Sequence, residues 1–160
     1  MRRATLIFVD HYRGDYVRGV ASYRNAISID SSYANTFLWG SWVLEGAGLA
    51  DEAVAAVERS VTLSAGGIAF VAGLARTRAL RGETAEAKRL LAQVVVAKVV
   101  PAYDVALIHL ALGDRAEALR WLERAYDQRS HSMVLMRHDP RLAALRGDPT
   151  FEGIARRVGI

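Results

Sequence analysis

The sequence predicts an all-α fold made of about four helix pairs and closed by a C-terminal capping helix. Three observations predict it: glycines recur at a nearly constant spacing, apolar residues follow a helical period, and no run alternates apolar and polar residues long enough for a strand. The 160 residues are 52% hydrophobic and include no cysteine. This composition suits one domain that needs no disulfide or thiolate-bound metal.

The glycine spacing defines the repeat. Gly14, Gly48 and Gly82 are each separated by 34 residues, and Gly113 follows 31 residues later. Five residues after each glycine the side chain is always small, and nine residues after it is always large and apolar. These positions hold Gly19, Ala53, Ala87 and Ala118, and Tyr23, Val57, Leu91 and Leu122. Small side chains let helix axes approach closely, so each glycine is predicted to lie in the turn between two paired helices.

Helical periodicity follows each of these turns and sets the repeat boundaries. After Gly48, for example, the apolar residues Ala53, Val57 and Val61 recur every four positions, as on one face of a helix. Repeats are therefore predicted at about residues 1–31, 32–65, 66–99 and 100–130. In the last of them, Asp114 is predicted to cap its helix, with Glu117 completing a capping box.

Residues 131–160 are predicted to form a separate C-terminal capping segment. Asp139-Pro140 and Asp148-Pro149 each place an N-capping carboxylate before a proline, which suits the first helical position. The second pair is predicted to open a helix that ends near Val158, where Gly159 stops it.

The best repeats, around residues 48–53 and 106–125, resemble the tetratricopeptide repeat, and the resemblance covers about residues 1–128. It departs where Gly40 replaces a usual leucine, and where Asp10 and Arg78 replace a bulky ring. Residues 138–151 are similar to tails that follow such repeats in bacterial multidomain regulators. The resemblance implies a right-handed superhelix that acts as a non-enzymatic protein-interaction scaffold in bacterial signalling or regulation.

In such a superhelix the first helix of each pair lines the concave side, which makes that side the candidate binding groove. The candidate groove residues are Phe8, His11, Leu38, Trp42, Glu45, Arg76, Tyr103 and Leu107. Aromatic side chains would anchor a peptide or protein segment, and Arg76 would bind a carboxylate. Two other interpretations stay open: the chain's own tail fills this strip, or Trp39 and Trp42 pack between repeats.

Catalysis, metals and cofactors are not predicted. The four histidines show no metal-ligand spacing, no glycine-rich phosphate loop follows a strand, and no nucleophile elbow is present. The histidines are His11, His109, His131 and His138. The expectation is a protein that is not an enzyme and carries no cofactor or metal.

Charge and hydropathy bear on partners and location. The net charge of +4 divides into −1 over residues 1–75 and +5 over residues 76–160. Nucleic acid is the weaker alternative partner, because groove positions such as Leu38, Ala72 and Leu110 cannot read bases. Self-association is the stronger alternative, through an exposed N-terminal helix pair that carries Leu6, Phe8, Val9 and Tyr23. The longest uncharged stretch, residues 60–75, is too short to span a membrane, and a cytoplasmic location is expected.

Overall fold

A computed structural model describes residues 2–160 of the chain, with side chains described from Ala4 onward. Eight helices form four consecutive pairs within this part of the chain: α1 (Arg2–Arg13) with α2 (Tyr16–Ile29), α3 (Ala34–Gly46) with α4 (Ala50–Leu63), α5 (Ile68–Leu80) with α6 (Thr84–Val95), and α7 (Ala102–Ala111) with α8 (Arg115–Asp127). Two short 3-10 helices, His131–Leu135 and Pro140–Leu145, lead to the last helix, α9 (Pro149–Val158). The predicted all-α superhelix of about four pairs with a capping helix is confirmed.

The four repeat glycines lie in the turns between paired helices, as predicted. Gly14, Gly48, Gly82 and Gly113 have φ between +69° and +83°. This is the left-handed region, where a side chain would clash with the backbone and glycine carries no such penalty. The spacing of the glycines is therefore the spacing of the helix pairs.

The small residues of the repeat lie where helices approach most closely. A Cβ at Gly19 would stand 2.7 Å from Cγ1 of Val43, so α2 packs against α3 only because that side chain is missing. Gly40, on α3, makes room for a side chain of α2 in the same way. A Cβ there would lie 2.3 Å from the ring of Tyr23, and the absent side chain makes room for this buried ring. The departure from leucine at Gly40 is thus matched by the large residue of the preceding helix.

The tail packs on the last pair as a continuation of its core. Phe151 and Ile154 of α9 are fully buried and join Met136, Leu142 and Leu145 in one cluster with α7 and α8. This apolar cluster seals the end of the array, which would otherwise expose the apolar sides of α7 and α8.

The predicted caps of the C-terminal half are largely confirmed. The Asp148 carboxylate accepts from the N–H groups of Thr150 and Phe151, and α9 ends at Gly159 with φ +90°. The Asp114 carboxylate accepts from the N–H of Glu117, as predicted for the N-cap. The predicted capping box is wrong, because Glu117 does not accept from the N–H of Asp114 in return. The Glu117 carboxylate pairs with Arg120 instead, because the N–H of Asp114 already donates to a carbonyl of α7.

The first helices of the pairs stand side by side and form the concave face. α1 packs on α3 and α5 packs on α7, whereas α3 and α5 meet mainly through side chains. None of the helices within residues 2–160 combines the length and apolar character needed to cross a membrane.

Candidate functional site: the concave groove

The eight predicted groove residues all lie on α1, α3, α5 and α7, but they differ in accessibility. Four are buried, namely His11, Leu38, Tyr103 and Leu107, and four are half-buried, namely Phe8, Trp42, Glu45 and Arg76. The buried ones form the floor of the concave face. Only the half-buried ones could touch a molecule in the groove.

The chain's own tail lies in the centre of this groove, with Asp139 at its deepest point. Asp139 is fully buried, and its Oδ2 accepts hydrogen bonds from the hydroxyls of Tyr103 at 2.8 Å and Tyr12 at 3.4 Å. Arg141 donates to both carboxylate oxygens, from Nε at 2.9 Å and from Nη2 at 2.6 Å. His11 Nε2 lies 3.9 Å from Oδ1. This carboxylate therefore joins α1, α7 and the tail.

The protonation states of this cluster suit such a junction. Burial alone would raise the pKa of Asp139, but the Arg141 guanidinium and the hydrogen bonds lower it well below the usual range. Burial raises the pKa of Tyr12 to about 12 and that of Tyr103 well above its ordinary value. Burial also lowers the pKa of His11. At neutral pH the cluster thus holds one carboxylate, one guanidinium, two phenol donors and a neutral imidazole.

Trp42, the aromatic anchor at the middle of the predicted strip, is already covered. The guanidinium carbon of Arg141 lies 3.9 Å from the centroid of the indole ring, and the Arg141 side chain is only 6% exposed. A cation held over an indole face at this distance is an attractive arrangement, and it strengthens when solvent is excluded. The tail thus places its own cation where a ligand would contact Trp42.

Arg76 also has its carboxylate within the chain. Its Nη1 lies 2.5 Å from Oε2 of Glu45, and Thr77 donates to the other oxygen, Oε1, at 2.6 Å. Glu45 and Arg76 therefore form an ion pair across α3 and α5 at one edge of the groove. Both side chains are only 12% exposed, so solvent screens the pair weakly.

Open space remains at the two ends of the groove. A smaller end, of about 190 Å³, is lined by residues that include Tyr16, Glu45 and Leu80. A larger end, of about 870 Å³, is lined by Ala69, Val95, residues 97–104, Arg124 and residues 128–132. We call this larger end the wide cleft. Between the two ends lies a cavity of about 10 Å³, room for about one water molecule, bounded by Trp42, Arg76, Asp104 and Arg141 among others.

Asp104 borders both the central cavity and the wide cleft. Burial raises its pKa to about 6, and the nearby Arg141 and Arg76 guanidinium groups offset only part of that effect. The carboxylate is therefore charged at neutral pH and becomes neutral under mildly acidic conditions. No grouping of three or more His, Asp or Glu side chains within residues 2–160 is placed to hold a metal ion.

Sequence reasoning missed Asp104, Asp139 and Arg141. Asp139 was interpreted only as an N-cap, which it also is, since Oδ1 accepts from the N–H of Arg141 at 2.9 Å. Its second oxygen, Oδ2, accepts hydrogen bonds from Tyr103 and Tyr12. These residues are distant in the sequence, so no local pattern predicts the contacts. The one local signal is that Arg141 stands two residues after Asp139, close enough along the chain to pair with it.

Paired helices stacked in order, with their first members lining one concave face, define an α-solenoid of the tetratricopeptide-like class. Among solved structures, the chain is similar to the crystal structure of MamA, with 16% sequence identity and a TM-score of 0.51. The similarity covers 92% of this chain and 86% of MamA. No protein-family model matches the chain, and no curated protein matches it either. The likeness to MamA supports the fold, which the tetratricopeptide resemblance in the sequence also implies.

Proposed function

We propose that the protein is a non-enzymatic interaction scaffold that binds a peptide or protein segment on its concave face. Its setting would be a bacterial signalling or regulatory complex in the cytoplasm. The observation that carries the proposal is the wide cleft, which stays open at one end of the face that helical-repeat proteins use for binding, where the first turns of α5 and α7 meet the loops after α6 and α8. Asp104 would form its inner wall, in front of the buried Tyr103. Phe8, Trp42, Glu45 and Arg76 would border the groove beyond the tail.

The part of the groove that the tail fills around Asp139 and Arg141, here called the closed centre, supports this proposal because it holds one wall of the cleft, where the Tyr103 hydroxyl is bonded to Asp139. Asp139 and Arg141 hold α1, α3 and α7 together through hydrogen bonds and the Trp42 contact. A cleft with fixed walls loses little conformational entropy when a segment binds, and affinity per contact rises accordingly.

The test is a selection of binding peptides from a random display library on the full chain, followed by amide hydrogen exchange with a selected peptide. We expect peptides to be enriched and to protect the first turns of α5 and α7 and residues 96–101 and 128–132. A library that yields no specific binder would contradict the proposal. So would protection confined to α4 and α6, which lie outside the concave face.

Self-association is the second candidate function, and exposed apolar side chains at the N-terminal helix pair favour it. Leu6 is 45% exposed and Val17 is 86% exposed, so this helix pair presents apolar side chains to solvent. Tyr23, expected in this patch, is buried beneath α3 and would not contribute.

Sedimentation velocity over a range of concentrations tests this second candidate. A dimer should form and should dissociate in the double variant Leu6→Lys with Val17→Lys. Val134→Lys, which removes an exposed valine of the tail, is the matched control and should leave the dimer intact. A wild-type chain that stays monomeric at every concentration would exclude the second candidate.

A further inference from the structure

The wide cleft has a cationic rim that the rest of the molecule does not neutralise. The cations Lys98, Arg124 and Arg129 line it, against the single carboxylate of Asp104. Within residues 2–160 the side chains of Lys98 and Arg129 have no hydrogen-bond or ion-pair partner. Both are exposed. Elsewhere on the concave face the arginines are paired, as Arg76 and Arg141 are.

Arg129 stands at a backbone position that favours glycine. Its φ is +53°, in the turn that ends α8, where its N–H donates to the carbonyl of Tyr126 and the next N–H to that of Ala125. The turns that end α1, α3, α5, α7 and α9 all have glycine at such a position. A side chain there strains the backbone, so the turn alone gives no reason for an arginine. The arginine at this strained position places its guanidinium group at the cleft.

The segment between α6 and α7, which carries Lys98, also gives the cleft an aliphatic wall. Val99 is 75% exposed, and Val100 and Pro101 are half-buried beside it. Val96, in the same segment between α6 and α7, is 80% exposed. The exposed valines are poorly solvated by water, and the unpaired cations beside them lack counter-charges. Together they form a surface that a ligand with both apolar and acidic groups would complement.

We infer that the wide cleft binds an acidic segment of a partner protein in which carboxylates are interspersed with aliphatic side chains. The carboxylates would meet Lys98 and Arg129, and the aliphatic groups would pack on Val99 and Val100. Complementary charge selects the partner and its orientation, while the apolar contacts supply most of the affinity. The inference rests on the proposed function and adds the chemistry of the ligand.

The composition of the cleft favours such a segment over a nucleic acid. Tyr103 is the aromatic residue that lines the cleft, and it is buried with its hydroxyl bonded to Asp139. Proteins that bind single-stranded nucleic acids stack bases on exposed rings, and the cleft offers valines in that place.

The test compares two double variants with the same change of charge. Lys98→Glu with Arg129→Glu reverses the rim of the cleft. Arg59→Glu with Lys88→Glu reverses two exposed and equally unpaired cations on α4 and α6. Each protein is used for selection from the same random peptide library. A selected fluorescent peptide and a single-stranded oligonucleotide of equal charge are then titrated by anisotropy.

Wild type and the Arg59/Lys88 variant should select peptides rich in acidic and aliphatic residues. The Lys98/Arg129 variant should bind those peptides at least about tenfold more weakly and should select basic ones instead. Cleft-binding peptides without acidic character would overturn the inference and leave the proposed function standing. An equal loss in both variants would overturn it as well. If the oligonucleotide binds as tightly as the peptide and is lost in the same variant, the cleft is a nucleic-acid surface and the inference is wrong.

Discussion

The closed centre and the wide cleft share one concave face but use charge in opposite ways. In the centre, the carboxylate of Asp139 and the guanidinium of Arg141 are buried, and the carboxylate also accepts from Tyr12 and Tyr103. In the cleft, Lys98 and Arg129 stand exposed without partners on the described chain. The chain thus supplies the partners of the charges in the centre and leaves those of the cleft to solvent. On the inference above, the carboxylates of a partner protein would meet Lys98 and Arg129.

The largest expected effect on stability is that of removing Arg141 from the closed centre. Arg141→Ala would leave the Asp139 carboxylate buried without its counter-ion, and we expect the free energy of unfolding to fall by about 3–5 kcal/mol. Urea denaturation measures this loss of unfolding free energy. Arg156→Ala, at an exposed position of α9, is the control and should change stability by no more than about 0.5 kcal/mol. Equal effects of the two variants would mean that the centre does not hold the fold together.

A smaller perturbation of the same centre is Tyr103→Phe. It removes only the hydroxyl that donates to Asp139 at 2.8 Å, and a hydrogen bond to a charged group contributes about 1.5–3 kcal/mol. We expect a loss of about 2 kcal/mol by urea denaturation, because Asp139 keeps Arg141. Tyr126→Phe on α8 is the control and should be close to neutral. A neutral Tyr103→Phe would show that Asp139 is satisfied without this donor.

Asp104 lies between the two regions, and its variant should show a pH-dependent effect. Because the pKa is raised to about 6, the folded chain holds this proton more tightly than the unfolded chain does. Stability is therefore lost as the pH rises through the interval between the ordinary value and about 6. The groups that face Asp104 are Arg141, Asp139, His131 and Arg76. The two guanidinium groups stay charged over this interval.

Asp104→Asn should accordingly stabilise the chain by about 1–2 kcal/mol near neutral pH, and by almost nothing below about pH 3, where the carboxyl is protonated in both the folded and the unfolded chain. Urea denaturation of both proteins across this pH range measures the difference. A difference that stayed constant with pH would show that the substitution acts through packing and not through the carboxylate.

The smallest expected effect on stability comes from a substitution in the cleft. Arg129→Gly should relieve the positive φ and stabilise the chain by about 0.5–1 kcal/mol, while it weakens binding of the acidic peptide. Ala65→Gly is a matched control, since Ala65 also has a positive φ, of +51°, and lies outside the cleft. It should raise the melting temperature similarly and leave binding unchanged. If Arg129→Gly bound the peptide as well as wild type, the arginine would have no part in recognition.

The sequence was sufficient for the fold because its strongest signals are local. A glycine such as Gly48 or Gly82 marks a turn through its own backbone angles, and Asp148 caps the helix that begins beside it. These signals depend on a few neighbouring residues, so they can be interpreted without the tertiary structure.

The candidate site depended on contacts between distant residues, which the sequence did not reveal. Asp139-Pro140 and Asp148-Pro149 look alike in the sequence, yet only Asp139 lies in the groove, within reach of Tyr12 and Tyr103. Likewise, Arg76 was expected to bind a ligand carboxylate, and Glu45, 31 residues earlier, supplies one. The periodicity places residues on a face of a helix but cannot say which part of the chain crosses that face.

The contact between Tyr12 and Asp139 joins residues separated by 127 positions. In an open stack of repeats each pair touches only its neighbours, and the ends can fray while the middle persists. Here the first helix is fastened to the tail, so α1 should not unravel unless the tail also loosens. The native chain should therefore behave as one cooperative unit, closer to a small globular domain than to a zipper that opens from its ends.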